Sequence, residues 1–231
     1  MISSLLPNVR FDKMFDATTE TLYMSLIACI CVFLLGLIIG LILFLTGPNQ
    51  LLENKWINRI LSAFVNIFRS IPFVILIILL LPFTKWLVGS MLGPNAALPA
   101  LIIGAAPFYG RLVEIALREI DKGVIEASVA MGASIWTIIW KVLIPESLPA
   151  LVSGITVTTI SLVGYTAMAG VIGAGGLGNL AYLDGFQRNR MDVVFVATVI
   201  ILIIVFTIQM LGDFITKKSI NVKRNLTLSN Y

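Results

Sequence analysis

Few residues in this chain of 231 could do chemistry, and their spacing narrows what that chemistry is. There is no histidine, which removes the commonest general base and the commonest transition-metal ligand. Arg111, Glu114 and Arg118 are spaced to share one helical face, where they either pair with one another or offer charge to a solute. Gly173-Ala-Gly175-Gly176-Leu-Gly178 satisfies Gly-x-Gly-x-x-Gly, but a dinucleotide site needs a strand before it, whereas a long uncharged apolar segment stands there. No Gly-x-x-x-x-Gly-Lys-Ser/Thr occurs, so ATP is not cradled by that route. Two groups remain: Glu126, Ala127, Ser128, Gly132 and Pro145 in a polar island, and Tyr165 with Met168 in a run of small residues. They suit recognition and passage, and the chain is not expected to be an enzyme or to carry a metal or cofactor of its own.

The elements that position these residues are membrane spans. Hydrophobic residues make up 58% and charged ones 12%, about half the charge of a soluble domain. The length allows roughly five spans of about 20 residues and no large soluble domain. The fold class is therefore an all-α integral membrane protein, a single membrane domain over residues 1–231. Residues 1–20 mix both charges and read as a short amphipathic arm at the outer surface. Leu22 to Leu45 is uncharged and would be about 36 Å long as a helix, against a hydrocarbon core of roughly 30 Å. Inside it, Gly36 and Gly40 form Gly-x-x-x-Gly, either a site of close helix approach or chance in a glycine-tolerant span. Cys29 and Cys31 turn to different helix faces and are not expected to pair.

Glu53 to Arg69 suits the membrane surface, and a short second span follows over Pro72 to Val88. A third, Ala96 to Leu117, is interrupted by Pro99, Gly104, Pro107 and Gly110, which implies kinks. The fourth runs from Leu148 to Ile172, a polar loop covers Asp184 to Asp192, and the fifth span is Val193 to Leu211. A basic tail, residues 213–231, closes the chain. Eleven of the 16 Lys and Arg fall in the first-to-second connector, the region from Arg111 to Lys141, and the tail. The positive-inside rule then puts the N-terminus outside and the C-terminus in the cytoplasm. Basic residues at span ends, without interleaved aromatics, mark topology and do not suggest nucleic acid.

In the polar island, Lys122 to Met131 favours a helix, Gly132 ends it, and Ser134 caps a second short helix that ends before Pro145. By composition alone this is equally an amphipathic connector lying on the bilayer. The spacing, however, resembles the cytoplasmic signature of permease subunits of binding-protein-dependent ABC importers: Glu-Ala-Ala, three residues, Gly, nine residues, then Ile-x-Leu-Pro. Here it reads Glu126-Ala127-Ser128, Gly132 and Val142-Leu143-Ile144-Pro145, with small-for-small and aliphatic-for-aliphatic exchanges.

Thr19 to Met24, Ala105 to Phe108 with Arg111 to Glu114, and Leu162 to Gly170 extend the resemblance to methionine ABC importer permeases. Arg69-Ser70-Ile71-Pro72 resembles the entry to the second span in amino-acid permeases. The resemblance implies a type I importer fold in the bacterial cytoplasmic membrane and a homodimer. It also implies two cytoplasmic ATP-binding subunits, which hold ATP and Mg, and an extracytoplasmic substrate-binding protein. It assigns residues 119–147 as a cytoplasmic coupling loop, with Glu126, Ala127, Ser128, Gly132 and Pro145 facing the ATPase, and puts Tyr165 and Met168 where such permeases narrow the pathway. Another amino acid, a dipeptide or a quaternary amine is the alternative substrate, and an ion-coupled secondary transporter the alternative mechanism.

Overall fold

The computed structural model describes residues 7–228, and side chains as far as residue 220. The helices are α1 (Phe11–Leu45), α2 (Lys55–Ser70), α3 (Phe73–Val88), α4 (Pro94–Arg118), α5 (Lys122–Ala130), α6 (Ile135–Ile138), α7 (Ile144–Val171), α8 (Gly176–Asn179) and α9 (Met191–Leu228). Two π-helical turns, Ile139–Leu143 and Leu180–Phe186, join α6 to α7 and follow α8. Four helical stretches are long and apolar enough to cross a membrane: α1, α4, Ile135–Val171 and α9. α2 and α3 pass the same test only together and are bent by 109° at Ser70 to Pro72, the geometry of a broken span or a re-entrant loop. Against the five spans expected, the described residues hold four such stretches, or five where the bent pair counts as one.

The core is built on α1 against α4. Met24, Ala28 and Val32 of α1 bury against a cluster that includes Leu101, Ala105, Tyr109 and Val113 of α4 and Leu151 and Leu162 of α7. Glycines set the separation. A Cβ added at Gly36 would come 2.6 Å from the Tyr109 ring and 3.1 Å from the Ala106 carbonyl oxygen, and one at Gly40 2.6 Å from the Gly110 carbonyl oxygen. Gly110 in turn lies under Ile39. The Gly-x-x-x-Gly pattern therefore brings two helices of this chain together, as small residues do where lipid offers no hydrophobic drive. Tyr109 is fully buried and donates its hydroxyl to the Leu151 carbonyl at 3.3 Å, tying α7 into the same seam. The opposite face of α1, with Leu26, Ile30, Leu34 and Ile38, is exposed and apolar, as a lipid-facing surface must be.

The structure corrects four boundaries. Residues 11–20 are not a surface arm but the first turns of α1, because Met14 and Ala17 bury against Val163, Leu177, Val193 and Ala197; residues 1–6 lie outside the described residues. Lys13 donates to Asp184 at 2.7 Å, and this holds the Asp184 carboxyl below the usual carboxylate range. The helix begun at Ser134 does not end before Pro145 but continues to Val171. The reason is the π turn: the Ile144 N–H bonds to the Ile139 carbonyl, and Pro145, which has no N–H, falls in the first turn of α7, where none is needed. The polar loop expected from Asp184 begins inside the second π turn, and Asp192 starts α9. The basic tail, 213–231, is helical as far as Leu228.

Gly40→Leu should force α1 off α4, since overpacking of this kind typically removes about 1–3 kcal/mol or more. Thermal unfolding in detergent should show a lower midpoint and a poorer folded yield. Ile38→Leu, on the exposed face, should change neither.

Candidate functional site

At one end of the bundle the chain builds a polar corner. Asp121 accepts from the Gly123 N–H at 2.6 Å and so caps α5. The helix ends at Gly132, whose φ of +77° is the left-handed conformation that glycine adopts without penalty. Gly132 N–H donates to the Val129 carbonyl at 2.9 Å and Ala133 N–H to the Ser128 carbonyl at 3.1 Å, the two bonds of a Schellman ending. Ser134 then accepts from the Thr137 N–H at 3.3 Å and opens α6. The stop at Gly132 and the cap at Ser134 are thus as the sequence indicates.

The corner presents a mixed surface. Glu126 and Ala127 are exposed, and Ser128 is buried with its hydroxyl on the Val124 carbonyl at 2.8 Å. Around them stand Met131, Trp136 and Trp140, 80%, 71% and 61% exposed. Large apolar side chains beside a free-standing carboxylate mark an interaction surface. A cavity of about 410 Å³ separates α5, at Lys122, Ile125, Glu126 and Val129, from the Asn49 to Leu51 turn after α1. Pro145 lies beyond the corner, at the start of α7.

Behind the corner, Glu114 is 2% exposed and is gripped on both oxygens. Arg111 donates to Oε2 at 2.5 Å and Arg118 to Oε1 at 2.8 Å. The two readings of this face resolve to pairing: the carboxylate is consumed within the end of α4.

At mid-bundle, Tyr165 of α7 stacks on Phe73 of α3, with ring centroids 4.4 Å apart and 5° between planes. Both rings line a cavity of about 240 Å³ at the α2–α3 break, with Phe68, Arg69, Gly104 and Phe108. Met168, one turn on, is 46% exposed and does not share this cavity. It belongs instead to a stripe of Val157, Ser161, Gly164, Met168 and Val171, spaced 3 and 4 apart along α7, that is exposed or half-exposed. A Cβ at Gly164 would meet nothing within 4 Å. Such a stripe has the spacing of a helix-pair seam and has no partner helix among the described residues.

Beyond Val171 the glycine-rich run turns back, with positive φ at Gly173, Gly175 and Gly176. Gly170 and Gly178 let the returning chain touch α7: a Cβ at Gly170 would lie 2.9 Å from the Gly175 carbonyl oxygen. These glycines make a hairpin, while those up to Gly164 leave the helix surface thin. The hairpin is pinned from α1, where Glu20 accepts from the Gly176 N–H at 2.6 Å and Thr21 from the Leu177 N–H at 2.9 Å.

Sequence reading missed three participants. Glu20 and Thr21 bond across 156 positions, and nothing local announces that. Arg69 read as the end of a surface segment, and only the break turns it into the cavity. Its legible signals were the proline three residues on, which precludes a continuous helix, and the resemblance of Arg69-Ser70-Ile71-Pro72 to a span entry.

Comparison with known proteins matches this architecture. The family described as binding-protein-dependent transport system inner membrane component matches residues 33–219. The chain is 66% identical over 216 residues to the methionine import system permease protein MetP of Bacillus subtilis (strain 168), covering 94% of this chain and 97% of that one. It is 49% identical over 202 residues to the probable D-methionine transport system permease protein MetI of Pasteurella multocida (strain Pm70), covering 87% and 93%. Among solved structures, an inward-facing MetNI methionine ABC transporter superposes with a TM-score of 0.89 at 45% identity, covering 90% of this chain and 97% of that chain. By profile, by near-full-length similarity and by fold, the chain is a member of the family of inner membrane components of binding-protein-dependent transport systems.

Proposed function

We propose that this chain is the permease subunit of an ATP-driven importer that passes methionine across the bacterial cytoplasmic membrane. The observation that carries the reading is the corner at Glu126 to Thr137, two capped helices meeting at Gly132 with an exposed carboxylate among exposed large apolar side chains. The chain does no chemistry of its own. ATP and Mg are held by two cytoplasmic ATPase subunits, and an extracytoplasmic binding protein delivers substrate. The names borne by its relatives favour methionine over another amino acid, a dipeptide or a quaternary amine. Lys and Arg distribution favours a cytoplasmic corner and C-terminus and an outer N-terminus.

Glu126, Ala127, Ser128 and Gly132 form the face that the ATPase takes. The small side chains permit close approach, and Glu126 offers an acceptor to a donor on the partner. Pro145 shapes the rigid continuation into α7, so that movement of the corner moves the pathway helix. Two copies meet along the α7 stripe, where Met168 acts as a gate: facing thioethers are apolar and adaptable, and they close without leaving polar groups unsatisfied. Tyr165 narrows the pathway beside it. ATP and the loaded binding protein favour different states of the pathway, and that difference drives alternating access.

Purification of the tagged chain in mild detergent should bring a stoichiometric ATPase with it, whose hydrolysis rises on addition of methionine-loaded binding protein. A folded chain recovered alone, which transports methionine on an ion gradient, would replace this reading with a secondary carrier. Gly132→Trp should abolish coupled uptake while the permease stays in the membrane at normal level, and normal uptake in that variant would remove the coupling assignment. With Cys29 and Cys31 replaced by serine, Met168→Cys should cross-link two copies under mild oxidation. A variant that stays monomeric in every nucleotide state would take Met168 off the axis.

A further inference from the structure

Among the described residues Arg59, Arg69 and Arg190 make no ion pair, and of these Arg69 stands over an aromatic ring in a cavity. Arg111 and Arg118 hold Glu114 between them, and Arg188 pairs with Asp184 at the far end. Arg69 has no carboxylate within ion-pair distance among the described residues, and its recorded contact is its guanidinium carbon 5.8 Å from the centre of the Phe108 ring. It stands at the α2–α3 break, over a ring near the middle of the 25-residue α4. An exposed guanidinium beside an aromatic cavity and without a carboxylate partner can receive an anion.

The cavity beside it has a definite chemistry. Phe68, Phe73, Phe108 and Tyr165 give it aromatic walls. Gly104 also lines it and lets α3 pack closely on α4, since a Cβ there would come 3.1 Å from Leu76 and 3.4 Å from Phe73. A volume of about 240 Å³ falls below the roughly 300–1,000 Å³ of sites for drug-sized ligands and suits one free amino acid. Anion receptor and aromatic wall match an α-amino acid with an unbranched apolar side chain, carboxylate on the guanidinium and thioether or methylenes on the rings.

We propose that the cavity at the α2–α3 break is a transient binding site for the transported amino acid on its way through the membrane, with Arg69 as its carboxylate receptor. The proposal rests on the permease reading above. One face of the site is open and it offers a single charged partner, so it binds weakly enough to release what it takes, as a pathway site must.

The complete importer, reconstituted in proteoliposomes with its ATPase and binding protein, tests this by two readouts on the same vesicles: uptake of radiolabelled L-methionine and ATP hydrolysis. Arg69→Gln should cut uptake about tenfold or more while hydrolysis stimulated by the loaded binding protein stays within about twofold. Arg69→Lys, which keeps the charge but loses the fork, should recover part of the uptake. Photolysis with the diazirine analogue L-photo-methionine should label peptides containing Phe68 to Phe73 or Phe108 in the unmutated importer, and this arm stands whether or not the variants assemble. Uptake and hydrolysis falling in parallel would make Arg69 a structural residue, a pairing with the second copy included. Unchanged uptake in Arg69→Gln, or an importer that takes up methionine without labelling those peptides, would overturn the site. Unmutated vesicles that accumulate no methionine would instead fail the permease reading beneath it.

Discussion

The closeness of α1 and α4 is the constraint on which the rest of the molecule depends. In lipid, packing must supply what hydrophobic exclusion supplies in water, and here it does so because Gly36, Gly40 and Gly110 remove the side chains that would keep two helices apart. Tyr109 fills the space that remains and spends its hydroxyl on the Leu151 carbonyl, which carries the seam to α7. Both ends of the bundle hang from this seam. At one, the last turn of α4 holds the Arg111, Glu114 and Arg118 cluster and leads directly into the corner at Gly132. At the other, the first turns of α1 hold the re-entrant hairpin through Lys13, Glu20 and Thr21.

Broken and wide helical turns then distribute the functions. A broken span is tolerated within a membrane only where protein or a cavity satisfies the freed backbone, and the 109° break between α2 and α3 sits against such a cavity. The π turn ahead of α7 does the opposite. It absorbs a proline so that the corner continues into α7 as one helical stretch from Ile135 to Val171. An ending at Pro145 would have put a joint between the two.

The exposed surface of the single chain is informative because so much of it is apolar for different reasons. The lipid face of α1 is large and aliphatic, with no polar break. The α7 stripe mixes a serine, a glycine and a methionine with two valines, which lipid does not require and a second helix would. The tryptophans near Gly132 flank a carboxylate in the first turns of the Ile135–Val171 stretch, so they suit the bilayer boundary and a protein partner together.

The sequence by itself determined whatever depends on local chemistry and on length. The glycine stop at Gly132, the cap at Ser134 and the shared face of Arg111, Glu114 and Arg118 follow from residue type and helical period, and all are present in the structure. The family was legible too, since its signature lies within twenty consecutive residues. Tertiary structure decided what depends on partners far along the chain. Whether Gly36 and Gly40 were packing or chance rested on Gly110, some 70 positions away; whether the first residues were an arm rested on Val163 and Val193. Arg69 became a cavity residue only when the chain bent at Pro72 and brought Phe108 and Tyr165 beside it. Periodicity records which face of a helix is apolar, but a bilayer makes nearly every face apolar, so the pattern that identifies neighbours in a soluble protein is silent here.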